Sequence, residues 1–599
     1  MLEKIRTLKG KASHTVVMVC VILAPLSIFL MSQYVYTGYL SLYSFGITII
    51  NYIAISVIMW SIIALSNKYT FGIVFSHIAM YIWAMVNYFV SYYRGNPVLP
   101  WDITALGTAG DVMLAYKYYP TLQMIIAGIY IIVISCIVFY TFPKRELGFK
   151  KENIPSRAIA LVIVFLCVII ISSPKRIESY GAKTDVWDQA KAYKEGGTLA
   201  VFLANLRWLD VEVPEGYSED MVDEIMSDVD TKAHKDVTRP NIIAIMNESW
   251  SDLEAYDGLE FSEDLMSEIK SIEGIHFGHA YASVFGAGTS ASEFEFLTGN
   301  SMAFLPSGSI PYQQYTLTDT TSIASILKDQ GYSTHAFHPG DASSWNRNAA
   351  YPLLGFDTFK SRDDMTVDII EAHGGYVSDA SDFKELIADY EARDKTRPYF
   401  YFNVTIQSHG GYQDTTYPTK VEVLGHEGEF PMAEQYLTLA KETDIAFAEL
   451  IDYFKGVKEP VIIVMFGDHK PALEEEFYEL LYDHGDEVSM EEYLERFEVP
   501  YVFWTNMDTD IDTDITSLNF LGQKLLEYAG VKTSTYTDYL LDLSDTLPAI
   551  SFAGYFDSDG EAYSHLETNE LTDLIDRYQI VQYSNLFGQH KEEWFDLLH

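Results

Sequence analysis

Five apolar runs near the start of the chain constrain it more than any other feature. They lie at about 15–36, 44–65, 70–92, 121–142 and 157–173. Each is near or above the ~17 residues needed to cross a bilayer as a helix. The first is too long for a simple signal peptide, and four more runs follow it. The expectation is a five-helix transmembrane domain over 1–174. Lys4, Arg6, Lys9 and Lys11 precede the first run, and Lys144, Arg145, Lys150, Lys151 and Arg157 lie between the fourth and fifth. The excess of Lys and Arg on cytoplasmic loops then puts the N-terminus and Lys68 inside, and only Arg94 and Lys117 in the opposite loops. Everything after about Pro174 is delivered outside the cell membrane. The loop 93–120 is rich in aromatics suited to a membrane interface.

The net charge of −44 over 599 residues divides at the same place. Before Pro174, twelve Lys/Arg stand against five acids, and afterwards 28 stand against 79. A strongly acidic outer part excludes a nucleic-acid binder, which needs a basic face. Hydrophobic residues make up 48% and aromatics 14%, so the acidic part is no disordered tail. Its roughly 425 residues are ample for a hydrophobic core. The three cysteines, Cys20, Cys136 and Cys167, all precede it, so neither a disulfide nor a thiolate-bound metal holds it together.

Residues 175–238 read as a connector. GGTLAVFLANLRWL (196–209) has helical apolar spacing suited to a membrane surface. Ala190-Lys191-Ala192 is an A-x-A pattern that signal peptidase processing would use. The Asp508, Asp510, Asp512 and Asp514 run reads as a solvated loop, with calcium binding as the alternative.

Residues 239–599 read as α/β. NIIAIM (241–246), YFYFNVTI (399–406) and VIIVMF (461–466) are continuous apolar runs suited to parallel strands buried on both faces. Weaker strand candidates are 274–285, 333–338 and 500–504, and helical segments such as SIASILKDQG (322–331) lie between them. This alternation predicts a mostly parallel sheet with helices on both sides. Three strands end in chemistry: Asn247-Glu248-Ser249, Gln407-Ser408-His409 and Gly467-Asp468-His469. Ligands of open α/β sheets bind beyond the carboxyl ends of the strands.

A fourth piece is Gly286-Ala287-Gly288-Thr289, which opens a helix. Ser290 and Glu293 have capping-box spacing. At the helix N-terminus Thr289 would face an oxyanion or phosphate. Glu248, Thr289, Asp468 and His469 offer oxygens and one imidazole to a divalent cation: manganese, zinc or, less well, magnesium. A metal converts a hydroxyl into a usable nucleophile. Arg347 suits phosphate oxygens, and Trp345 supplies an apolar wall.

Together, NIIAIMNESW (241–250), FGAGTSASEFEFLTG (285–299), FHPGDASSWNRN (337–348), QSHGGY (407–412) and FGDHKP (466–471) resemble the lipoteichoic acid synthase family. That family belongs to the sulfatase-like, alkaline-phosphatase-type superfamily, and the resemblance covers nearly the whole chain. It implies a central mostly parallel sheet flanked by helices, with a smaller C-terminal subdomain. It implies a metal site of Glu248, Thr289, Asp468 and His469, with Thr289 as nucleophile. Trp345, Arg347 and His409 would bind glycerophosphate. The implied cofactor is one divalent cation, Mn²⁺ foremost, with Mg²⁺ or Zn²⁺ as alternatives. The implied reaction moves glycerol phosphate from phosphatidylglycerol to a glycolipid-anchored polyglycerolphosphate acceptor, with diacylglycerol released.

Ala287-Gly288 departs from the family pattern, which often has a Lys there, and this leaves the acceptor open. The alternatives are phosphoglycerol or phosphoethanolamine transfer to another envelope glycan, and phosphodiesterase or lipase action. A silent envelope scaffold is a further alternative, disfavoured by the joint presence of all four metal-site residues. The sulfatase Cys/Ser-x-Pro-x-Arg signature is absent around Thr289, and the missing outer cysteines weigh against phosphoethanolamine transferases.

Overall fold

The computed structural model describes residues 14–41, 43–66, 68–94, 97–102, 118–141, 154–184, 189–209, 211–230, 239–316, 318–482, 488–588 and 594–595. The basic residues that set the expected orientation lie outside this set, or have side chains outside it, apart from Lys68. The chain divides into two compact units between Val211 and Glu212.

In the first unit, four stretches are long and apolar enough to cross a membrane: Val19–Thr37, Phe45–Ser66, Tyr69–Tyr93 and Leu122–Phe139. The fifth run forms the helix Ile154–Ile171. Its described apolar stretch, Ala160–Ile171, is shorter than a span. Trp101 of the aromatic loop is buried with Leu99 rather than lying at a surface.

The connector helices Gln189–Gly196 and Thr198–Ala204 belong to this unit. Two amides from apolar helices hold them. Gln33 accepts a hydrogen bond from Thr198 N at 3.0 Å and donates to Tyr193 O at 3.2 Å. Asn51 accepts from Ala200 N at 3.2 Å and donates to Gly196 O at 2.8 Å. These bonds satisfy backbone groups that a helix start leaves orphaned. Ala190-Lys191-Ala192 is therefore helical, with Ala192 buried, and a protease would need this segment to open first.

The second unit is built on an eight-stranded sheet. Its strands are β1 (Asn241–Asn247), β2 (Ile275–Tyr281), β3 (Ser333–His338), β4 (Thr358–Ser361), β5 (Tyr399–Val404), β6 (Val461–Gly467), β7 (Glu498–Thr505) and β8 (Thr516–Ser517). The order is β4-β3-β5-β1-β6-β7-β2-β8. Only the β6–β7 and β7–β2 pairings are antiparallel. All seven residues of β1 and of β6 are buried, as strands covered on both faces require. Helices Asp379–Ala392 and Pro431–Phe454 pack on one another and contribute to the main core. The C-terminal region adds a small three-stranded antiparallel sheet and the helix Thr572–Phe587.

Register decides what the strand ends deliver. Met246 pairs with Val404 and Phe466, and Asn247 with Gly467. Glu248 and Asp468 therefore emerge at one level, with Thr405 beside Asn247 one residue earlier. Gly467 admits this approach, because a Cβ there would lie 2.0 Å from Trp250 O. The acidic run 508–514 is irregular, with all four Asp exposed, as a solvated loop should be.

Replacing Asn51 by Leu should free the connector. Losing the buried amide costs on the order of 1–3 kcal/mol, roughly 5- to 150-fold in local opening. Trypsin cleavage at the exposed Lys191 and Lys194 of detergent-solubilised protein should accelerate accordingly. An unchanged rate would show that the amide does not hold these helices.

Candidate functional site

The carboxyl ends of the parallel strands β3, β5, β1 and β6 lie side by side at one edge of the sheet. Ligand atoms of Glu248, Asp468 and His469, all buried, lie within 4.8 Å of one another. Asp468 Oδ1 accepts from Ser249 N at 2.7 Å and from His469 N at 2.9 Å. Glu248 is tethered by its own N–H to Thr405 Oγ1 at 3.1 Å. Ser249 is forced into the left-handed region, φ +57°, a strain that surrounding contacts must hold.

The set passes the test of a cation site. Asp468 Oδ2 and His469 Nε2 are buried with no hydrogen-bond partner, yet 3.2 Å apart. His469 Nδ1 faces the Lys470 carbonyl at 3.0 Å and must donate to it. In the neutral imidazole Nε2 then carries a lone pair. Two acceptors so placed repel unless a cation lies between them. Burial, and then the Asp468 carboxylate, pushes Glu248 well above the usual range. Two carboxylate oxygens and an imidazole suit manganese or zinc better than magnesium or calcium.

Thr289 is buried and is the first residue of the helix Thr289–Thr298. Gly288, at φ +109°, makes the turn into that helix. Gly286 N donates to Lys470 O at 2.9 Å, and Ser292 Oγ donates to Asp468 O at 2.6 Å. The residues flanking Thr289 are thus bonded to the segment that carries Asp468 and His469. The helix carries no side-chain cap. Glu293 is not in a capping box, because the helix is capped at Gly288 and Glu293 lies a full turn inside it, where Arg347 claims its carboxylate.

Arg347 Nε and Nη2 both donate to Glu293 Oε1, at 2.9 and 2.5 Å, and Tyr351 OH donates to Oε2 at 2.6 Å. The Nε–Nη2 edge of Arg347 is therefore taken by Glu293, and Nη1 lacks a partner. Burial disfavours the guanidinium charge, but Glu293 more than offsets it and the pKa is raised. Trp345 is half-buried at φ +57°, and Asn346 follows at φ +69°. Asn346 Nδ2 bonds Tyr312 O at 3.0 Å. With Ser249, these are the described non-glycine residues at positive φ, and all three flank the pocket.

His409 Nδ1 lies 3.1 Å from Tyr376 OH. Burial pulls its imidazole down to about 4, so it is neutral near pH 7 and serves as a hydrogen-bonding group. Tyr376, His373 and His338 were not singled out from the sequence. His338 ends β3, with Nδ1 at 2.8 Å from Val404 O. Its place at the end of a predicted strand was the available signal. Tyr376 and His373 sit in an irregular segment with no such marker. Lys470 follows His469 but points elsewhere. Its Nζ bonds Tyr256 OH and Glu495 O, and burial lowers it to about 8.

His373 is 1% exposed and its ring packs near Tyr376 and Tyr412. Burial, and then His409, lowers it from 6.5 to about 4. A base with a depressed folded pKa is fully stabilising above its unfolded pKa. That stability is lost as pH falls from 6.5 towards 4, about 3 kcal/mol in all. His373→Phe should move the acid-unfolding midpoint to lower pH. An unaltered acid titration by circular dichroism would contradict this.

Comparison with known proteins follows the same lines. Residues 240–531 match the Sulfatase family model. A putative cyclic beta-1,2-glucan modification protein of Rhizobium meliloti is 31% identical over 68% of this chain, and the chain spans 60% of that protein. A lipoteichoic acid synthase of Staphylococcus saprophyticus is 31% identical over 30% of this chain and 27% of its own length. The Streptococcus pyogenes phosphoglycerol transferase GacH, solved with sn-glycerol-1-phosphate, shares the fold. It has a TM-score of 0.54 and 20% identity, over 65% of this chain and all of that one. Residues 240–531, within the second unit, are therefore similar to the Sulfatase family, in a chain with lipoteichoic acid synthases among its relatives.

Proposed function

We propose that the chain is a membrane-bound phosphoglycerol transferase of the lipoteichoic acid synthase type. One observation carries the reading: the unpartnered, buried Asp468 Oδ2 and His469 Nε2 beside Glu248, at the foot of the helix that Thr289 begins. A divalent cation held by Glu248, Asp468, His469 and Thr289 would supply Lewis acidity and favour the deprotonated hydroxyl.

Thr289 Oγ1 attacks the phosphorus of phosphatidylglycerol. The bond from phosphorus to the diacylglycerol oxygen breaks, and that oxygen takes up a proton. A hydroxyl of the acceptor then attacks the glycerophospho-threonine. Its proton replaces the one delivered to diacylglycerol, and Thr289 is released. Arg347 Nη1 donates to a phosphoryl oxygen, and His409 holds the glycerol. Positioning and charge placement carry most of such catalysis.

The acceptor is a polyglycerolphosphate chain on a glycolipid, following the staphylococcal relative. A second reading, decoration of another envelope glycan, is favoured by the longer match to a glucan modification protein.

Purified full-length protein in detergent, given fluorescent phosphatidylglycerol and Mn²⁺, should release diacylglycerol. Thr289→Ala should lower the rate by about 10³-fold or more. Unchanged release would sink the assignment. EDTA should abolish release and added Mn²⁺ restore it. A ladder of product indicates polymerisation, a single adduct decoration, and free glycerol phosphate a phosphodiesterase.

A further inference from the structure

We infer that Glu293 is a positioning residue that makes this site selective for singly charged phosphodiesters over doubly charged phosphomonoesters. The inference rests on the phosphoryl-transfer reading and names the substrate class.

Glu293 is fully buried and lies one helical turn after Thr289. It takes two of the three Arg347 nitrogens on one oxygen, and Tyr351 OH on the other. The remaining nitrogen, Nη1, is the one without a partner. Two consequences follow. Arg347 has given its Nε–Nη2 edge, one of the edges by which a guanidinium grips phosphate oxygens in pairs, to Glu293 and keeps the Nη1 side for a ligand. Its charge is also cancelled at contact distance, so it brings a donor to the pocket but almost no net field.

A phosphodiester has two non-bridging oxygens and one charge, and a donor whose charge is already neutralised suffices for it. A phosphomonoester dianion has three terminal oxygens and two charges. It gains most from a free guanidinium, which Glu293 withholds. Trp345 and Asn346, both left-handed and immediately before Arg347, fix where the arginine enters, so Glu293 and this turn define its aim between them.

The test compares bis(p-nitrophenyl) phosphate with p-nitrophenyl phosphate on the full-length, Mn²⁺-loaded protein. The wild type should prefer the diester by about 100-fold or more in kcat/KM. Glu293→Gln keeps the shape and releases the charge, and should reduce the diester-to-monoester ratio at least roughly tenfold. It should also bind inorganic phosphate more tightly by calorimetry. Glu293→Asp keeps the charge and should stay near the wild-type ratio. Parallel loss on both substrates, with phosphate binding unchanged, overturns the inference. If Glu293→Gln does not fold, the wild type decides, and a preference for the monoester overturns it. Absence of any Thr289-dependent diester turnover would instead remove the transferase reading, while the phosphate-binding comparison still decides the role of Glu293.

Discussion

Two buried carboxylates close to one another repel, and Glu248 and Asp468 are held in that arrangement by the sheet. β1 sits at its centre, bonded in parallel to β5 and β6, and the matched register brings three strand ends to within one residue of one level. A buried like-charge pair left to itself would separate or take up a proton. Here Thr405 Oγ1 holds the Glu248 backbone and Ser249 N holds the Asp468 carboxylate, and together they resist separation. The fully buried strands and the large core around them pay for that geometry. The strained Ser249, Trp345 and Asn346 belong to the same cost, since a site held off its local minimum must be held by something larger.

Most of the architecture was legible in the residues. Unbroken apolar runs such as VIIVMF report strands covered on both faces, and their polar endings mark the ligand edge of the sheet. The four long apolar helices were visible for a similar reason, since length and hydropathy are local properties. What escaped was long-range pairing. Glu293 looks like a capping-box partner at three residues' distance from Ser290, whereas its true partners lie 54 and 58 positions away. A local motif and a distant ion pair use the same residue type, and only the fold tells them apart. Tyr376 and His373 were unreadable because nothing periodic surrounds them. The connector was read as one segment, but its helices bond to amides within the first unit.

The basic side chains near the site divide the work unevenly. Arg347 is neutralised by Glu293, and Lys470 turns away into a pocket with Tyr256 and Tyr482. Ala287-Gly288 offers no lysine in its place. Among these groups no free positive charge faces the nucleophile, so attraction of a polyanion to this pocket has to come from the cation that Glu248, Asp468 and His469 would hold.

The capping of the connector by Gln33 and Asn51 has a bearing on how such chains can be recombined. The first unit is not a plain hydrophobic plug whose job ends at the last apolar residue. Two of its helices carry amides whose oxygens accept from Thr198 N and Ala200 N and whose nitrogens reach Tyr193 O and Gly196 O. A junction placed directly after Ile171 would strip both amide oxygens of these backbone donors, leaving the nitrogens with Tyr43 OH and Ile47 O. A junction at Val211 would keep the set whole, so anchor and connector form one inheritable cassette.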